Sequence, residues 1–158
     1  IETLANKGYT LVLTTMPLFP RRAVEHRLAW AGVDPARFAR LTSYENSTSV
    51  KPKLTYYAEN LAACGLVGED VLMVGNNTVE DMAIAKLGAD AYLVTDHLLD
   101  PIDFDLSASK HGSMEEFAAW AEMLPACENP IDRIDGDIVD RAAVANVLAA
   151  HAASRTEA

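Results

Sequence analysis

Three polar sites in this sequence have the types and spacing to do chemistry together: Thr15, Lys51, and the group Asn76, Asn77 and Asp81. Each falls where an apolar run ends or a helical pattern begins. A hydroxyl with free backbone N–H groups behind it, an ammonium, and an oxygen-rich loop are what a phosphoryl group and a hard cation such as Mg²⁺ require. Oxygen donors suit Mg²⁺ better than zinc. Taken singly, each site has a plainer reading. Thr78 or Asn77 would cap a helix, with Glu80 and Asp81 favourable in its first turn; Thr15 would be another cap, and Lys51 a solvated turn residue. The order and spacing of all three carry the chemical reading.

The elements that must position them follow from the apolar patterning. Val71–Val74 is a short apolar run that fits a strand buried on both faces, and Gly75 breaks it. The Ala-rich stretch Met82–Leu87 then reads as a helix. In a parallel sheet, a strand that turns through glycine into a helix puts that turn at the carboxyl edge, where α/β proteins bind ligands. Tyr9–Thr15 reads as a second buried strand, Phe38–Tyr44 as a weaker one and Ala89–Thr95 as another. Helices are expected over Glu2–Gly8, over Arg21–Ala31 with Ala23, Val24, Leu28 and Ala31 inward, and over Lys53–Cys64 with Leu54, Tyr57, Ala58 and Leu61 inward. Ser113 to Glu116 resembles a capping box that opens a helix to about Leu124. Asp137–Ala150 is a further helix, with Ile138, Ala142, Ala145 and Leu148 as its stripe. Asp132, Asp135 and Asp137 lack the spacing and terminal Glu of an EF-hand and read as a solvated turn.

Strands alternating with helices predict an α/β fold with a parallel, doubly wound sheet. The chain has 158 residues, half of them apolar, which predicts one soluble globular domain. Its 23 acidic against 13 basic residues argue against nucleic acid or an anionic membrane as partner. No apolar run reaches the roughly 20 residues of a membrane helix. Cys64 and Cys127 show no metal-ligand spacing, so free thiols in a reducing cytoplasm are expected. His26, His97, His111 and His151 form no motif; His97 reads as a surface-loop residue. The Gly75 loop lacks the further glycines of a dinucleotide fingerprint.

In these motifs the chain resembles the haloacid dehalogenase superfamily of phosphatases. The second motif of that family, a strand ending in Ser or Thr, is matched by Leu11–Thr15; the third, a Lys opening a helix, by Lys51-Pro52; the fourth, an acidic strand-end loop, by Val74–Asp81. The similarity is greatest to a bacterial hydrolase subgroup, over Leu13–Arg21, Trp30–Gly32, Thr42–Ser47 and Met73–Asp81, and spans roughly residues 1–125. It implies a Rossmann-like three-layer α/β/α core over 1–125 with a helical extension over 126–158. It also implies a small phosphorylated substrate, hydrolysed through an aspartyl-phosphate. Thr15, Met16 and Lys51 would surround the phosphate, with Thr14 the alternative hydroxyl, and Asn76 and Asp81 would hold or orient Mg²⁺.

The sequence departs from the subgroup in two places: Asn77 stands where an Asp is usual, and Met16 where an Asn is usual. The first motif, Asp-x-Asp after a strand, is absent from these residues. Its first Asp is the nucleophile and its second the general acid/base. Since that motif and a cap insertion precede this region in the family, and the chain opens on what reads as the last turns of a helix, the expectation is a segment upstream that supplies the central strand. A non-catalytic domain that kept the fold and lost its chemistry is the alternative.

Overall fold

The structure is a computed structural model that describes residues 1–131, 134 and 138–154. Asp132, Asp135 and Asp137, read above as a turn, lie outside the described residues. The first helix, α1 (Glu2–Asn6), leads through Gly8 to β1 (Val12–Leu13), and α2 (Arg21–Trp30) returns the chain to β2 (Arg40–Leu41). Then come α3 (Leu54–Cys64), β3 (Leu72–Gly75), a 3₁₀ helix (Met82–Leu87) and β4 (Asp90–Val94). The chain continues through β5 (Lys110–Gly112), α4 (Met114–Met123) and α5 (Arg141–Ser154).

All strand pairings are parallel, as the alternation of strands and helices requires. They fall into two sheets. In one, β1 pairs with β2, Val12 opposite Arg40 and Leu13 opposite Leu41. In the other the order is β3-β4-β5, with Gly75 opposite Leu93 and Val94 opposite Gly112. Among the described residues no backbone hydrogen bond joins β1 to β3. What passes between them is a side-chain contact, the Thr14 hydroxyl donating to Met73 Sδ at 3.6 Å.

Alternation along β4 shows the layering. Ala91 packs on one face against a core of Tyr57, Ala58, Leu61, Met73, Ile84 and Leu87. The next residue, Tyr92, points the other way and meets Phe117 and Trp120 of α4, at ring-centroid distances of 4.9 and 5.6 Å. Helical layers on both faces of a parallel sheet are consistent with a three-layer α/β fold. A second, smaller core of Val24, Leu28 and Leu41, with Leu13, Val33 and Phe38 against it, joins α2 to the β1–β2 sheet. Among the described residues no helix is long and apolar enough to cross a membrane. Cys64 and Cys127 are both free thiols.

Several expectations need correcting. Hydrogen-bonded strand over 9–15 shrinks to Val12–Leu13, because β1 has a partner on one side alone. The helix expected after the Gly75 loop is 3₁₀ in form. A fifth strand, β5, lies in the stretch read as irregular. On α2, Val24 and Leu28 are buried but Ala31 is exposed. On α5 the inward residues are Val144, Val147 and Leu148, which pack on the α3 core, while Ala142 and Ala145 are exposed and Ile138, also exposed, lies before the helix. The capping box at α4 is present: Ser113 Oγ accepts from the Glu116 N–H at 3.2 Å, and Glu116 returns the bond to the Ser113 N–H at 2.7 Å. At its other end, the Lys7 ammonium donates to the carbonyls of Ala121, Glu122 and Leu124 at 3.0, 2.6 and 2.6 Å, tying α1 to the helix end where a cation is favoured.

Candidate functional site

Thr15 follows the carboxyl end of β1 and Asn76 that of β3, and α3 ties the two ends together, its Tyr56 hydroxyl reaching the Thr15 carbonyl and its Tyr57 hydroxyl the Glu80 carbonyl. At the Gly75 end, Asp81 reaches back over the strand terminus. Its Oδ2 accepts the N–H groups of Asn76 and Asn77 at 3.0 and 2.9 Å, and its Oδ1 takes the Lys51 ammonium at 2.5 Å. Both side chains of this ion pair are more than nine-tenths buried. The structure therefore joins two of the residues singled out from sequence, 30 positions apart, into one buried charge pair.

Gly75 is what permits it. A Cβ there would sit 2.1 Å from Asp81 Oδ2 and 2.6 Å from Asp81 Cβ, well inside any allowed contact. Gly75→Ala is accordingly expected to push Asp81 off its two amides and to cost about 1–3 kcal/mol. Chemical denaturation of the variant measures the loss, and an unchanged midpoint would show that the loop yields freely.

Asn77 closes a turn over 77–80 and does not cap the 3₁₀ helix, whose N-cap position is Asp81. The Asn77 Oδ1 accepts from the N–H groups of Val79 and Glu80 at 3.0 and 2.9 Å. Asn76 donates its side-chain amide to the His97 carbonyl at 2.7 Å, so His97 enters through its backbone, in a left-handed conformation, and not through its ring. The 97–100 segment clamps the loop further. Leu99 N–H donates to Asn76 O at 2.8 Å, Thr78 N–H to Leu99 O at 3.0 Å, and the Thr78 hydroxyl to Asp100 Oδ1 at 2.8 Å.

The Thr78 hydroxyl, followed by the amides of Phe104 and Ile102, holds the Asp100 carboxyl below the usual carboxylate range. A depressed folded value means that this clamp contributes fully above the unfolded value of about 3.9 and is lost as pH falls through the lower folded value. An NMR titration of the Asp100 carboxyl carbon should give a midpoint below that of an unperturbed aspartate, and Thr78→Val should move it upward. A midpoint insensitive to Thr78 would break the assignment.

Thr15 lies across the break between the sheets, and its backbone is fully engaged by side chains. Its N–H donates to Thr42 Oγ1 at 2.8 Å, and its carbonyl accepts the Tyr56 hydroxyl at 2.6 Å. The Thr15 hydroxyl stands 3.3 Å from the Thr42 carbonyl. Thr42 and Tyr56 are both fully buried. Tyr57, next along α3, donates its hydroxyl to the Glu80 carbonyl beside Asp81. Burial pushes the phenols of Tyr56 and Tyr57 well above the ordinary tyrosine range, the Asp81 charge adding to it at Tyr57, so both remain O–H donors. Met16 N–H makes no hydrogen bond among the described residues and sits beside Thr15 at the head of a loop that exposes Leu18 and Phe19. Thr42 and Tyr56 were not singled out from sequence, and Tyr57 was read only as an inward residue of its helix. Two adjacent tyrosines on one helix, when a single inward stripe needs one, were the available signal.

The residues proposed for Mg²⁺ do not by themselves make a site for it. Asp81 Oδ2 is filled by two amides and its Oδ1 is shared with an ammonium, while Asn76 donates its side-chain nitrogen to the His97 carbonyl and offers its Oδ1 as a single neutral donor atom. Among the described residues no group of three His, Cys, Asp or Glu side chains is arranged to hold a metal ion. A hard divalent ion usually draws on one or two carboxylates with lone pairs to spare, which would have to come from elsewhere.

No family model and no curated protein matches the chain. Among solved structures, an uncharacterized protein from Listeria monocytogenes serotype 4b is similar, with a TM-score of 0.58 and 16% sequence identity. The match covers 78% of this chain and 79% of that one. At this identity the likeness concerns the fold alone.

Proposed function

We propose that this chain is the carboxyl-terminal part of the core of a haloacid dehalogenase-like hydrolase, a phosphatase acting on a small phosphorylated substrate. The observation that carries the reading is the pair of inner strands, β1 and β3. Each leads into residues picked out for phosphoryl chemistry, the Thr14 hydroxyl touches Met73 between them, and among the described residues they share no backbone hydrogen bond. A strand entering between them would pair with both and would bring its own carboxyl end to Thr15 on one side and to Lys51 and Asp81 on the other.

An aspartate at the end of that strand would attack phosphorus, forming the aspartyl-phosphate as the ester oxygen leaves with a proton from a second carboxyl group. Water would then cleave the acyl phosphate to free inorganic phosphate and regenerate the aspartate. In this scheme the residues of the present chain bind and orient. The Thr15 hydroxyl and Met16 N–H meet phosphoryl oxygens, and Lys51 supplies positive charge. Asp81 holds that ammonium at the carboxyl edge in place of a water shell. Mg²⁺, if bound, would supply charge neutralisation and would take its main ligands from the added strand.

A non-catalytic domain is the second reading. It is favoured by the neutral Asn77, whose side-chain oxygen is taken up by two amides. The two readings part on one experiment: a polypeptide that includes the upstream coding sequence, assayed with p-nitrophenyl phosphate and Mg²⁺. Hydrolysis abolished by Lys51→Ala at a temperature where circular dichroism shows the variant folded supports the enzyme. Phosphate binding without hydrolysis supports the second reading, and neither binding nor hydrolysis defeats both.

A further inference from the structure

Helix α3 carries two adjacent tyrosines that are 0 and 1% exposed, and they reach different halves of the molecule. Successive helical residues point about 100° apart, so neighbouring side chains diverge. The Tyr56 hydroxyl donates to Thr15 O, the last carbonyl of the β1 side of the candidate site, at 2.6 Å. The Tyr57 hydroxyl donates to Glu80 O, one residue before Asp81, on the β3 side. The two rings meet edge to face, with centroids 5.2 Å apart and planes at 88°. The same helix is preceded by Lys51, which grips Asp81.

Because no backbone hydrogen bond joins β1 to β3, their offset at the carboxyl edge must be set by something packed across them. A phenylalanine at either position would fill the same space, so packing alone explains the rings and leaves the hydroxyls unexplained. Both hydroxyls end on main-chain carbonyls at the edge where the candidate site residues gather. Thr42 completes the grip on the first side, its Oγ1 accepting the Thr15 N–H at 2.8 Å and standing 3.2 Å from the Tyr56 hydroxyl.

We propose that Tyr56 and Tyr57 are positioning residues whose paired hydroxyls fix the spacing between the Thr15 half and the Lys51–Asp81 half of the phosphoryl site. The inference rests on the phosphoryl reading above for its purpose, and on the two hydrogen bonds for its geometry. Tyr has few torsions and its hydroxyl is rigidly carried by the ring, so a displacement of either half is transmitted to the other through the ring contact. Neither residue touches the phosphoryl group.

The test uses the chain labelled with ¹⁵N and methyl ¹³C, with Tyr56→Phe, Tyr57→Phe, the double variant, and Val24→Ala as a destabilised control in the α2 core. Two readouts are taken: the affinity for inorganic phosphate, from the amide shifts of Thr15 and Met16, and the NOE between the Thr14 and Met73 methyl groups across the two sheets. Each Phe variant is expected to weaken phosphate binding by roughly 3- to 10-fold, the scale of one lost hydrogen bond, and the double variant to weaken the NOE. Val24→Ala should leave both unchanged while lowering Tm. If the parent chain binds phosphate and the Phe variants bind it equally well, the positioning role is overturned and the phosphoryl reading stands. If the parent chain binds no phosphate, the phosphoryl reading is decided by the polypeptide that carries the upstream segment, and the NOE alone decides the positioning role. An NOE unchanged in the double variant overturns the proposal, and one weakened there but intact in Val24→Ala supports the spacing role.

Discussion

Lys51→Met is expected to lower the stability of this chain by about 3–5 kcal/mol, because it strands the Asp81 carboxylate without its ammonium in a buried position. The distance of 2.5 Å and exposures of 8 and 9% leave little room for water to take over. The two amides of Asn76 and Asn77 still hold Oδ2, so Asp81 stays in place while its charge goes uncompensated. Adding Asp81→Asn should recover part of the loss, since a neutral amide oxygen still accepts one or both N–H groups. For a chain of this size the single substitution corresponds to a fall in Tm on the order of 10 °C. Thermal melts of the parent, the single and the double variant form the measurement. A single variant as stable as the parent would mean that the pair is solvated in solution.

Arg40→Met is expected to cost a similar amount, about 3–5 kcal/mol, and to act on the site from below. Arg40 is 2% exposed, and its guanidinium donates to Asn60 Oδ1 and to the Asn46 carbonyl, both at 2.9 Å. Asn46 in turn donates to the Leu41 carbonyl and accepts the Ser43 N–H, each at 2.9 Å. Glu59 on α3 accepts the Thr48 N–H at 3.1 Å and the Thr48 hydroxyl. The turn that leads to Lys51 is thus fastened to β2 and α3 by buried polar groups, and removing the guanidinium leaves several of them unpaired. Arg40→Lys should not rescue stability, because one ammonium does not reproduce the planar fork that serves Asn60 and Asn46 together. Urea denaturation of the two variants tests this, and a fully stable Lys variant would show that charge alone suffices.

What the sequence disclosed, and what it hid, follows from how local each signal is. The run Val71–Val74 ended by Gly75 is a local pattern, and β3 and its loop are where that pattern puts them. The Ser113 capping box is equally local. In contrast β5, Lys110–Gly112, has no apolar residue to mark it, and it is a strand because β4 offers it a free edge. On α5 the run of alanines is nearly uniform around the helix, so its phase was set by contact with α3 and not by its own pattern. For the candidate site, Lys51 and Asp81 were legible as types and positions, while their pairing was not, since a separation of 30 residues leaves no periodic trace. The grip of Thr42 and Tyr56 on Thr15 spans 27 and 41 residues and was invisible for the same reason.

The two tryptophans make the molecule optically lopsided. Trp30, at the end of α2, is 82% exposed and should emit at the wavelength of indole in water whether the chain is folded or not. Trp120 is stacked on Tyr92 at an interplanar angle of 25°, with Phe117 beside it and the Lys110 ammonium 5.8 Å from its ring. Intrinsic fluorescence therefore watches the far edge of the β3-β4-β5 sheet and is blind to the β1–β2 sheet that carries Thr15. If the β1–β2 sheet loosens first, circular dichroism will register the event at a denaturant concentration where the emission spectrum has not moved. Coincident curves from the two probes would mean that the sheets unfold as one cooperative unit, even though no backbone hydrogen bond connects β1 to β3.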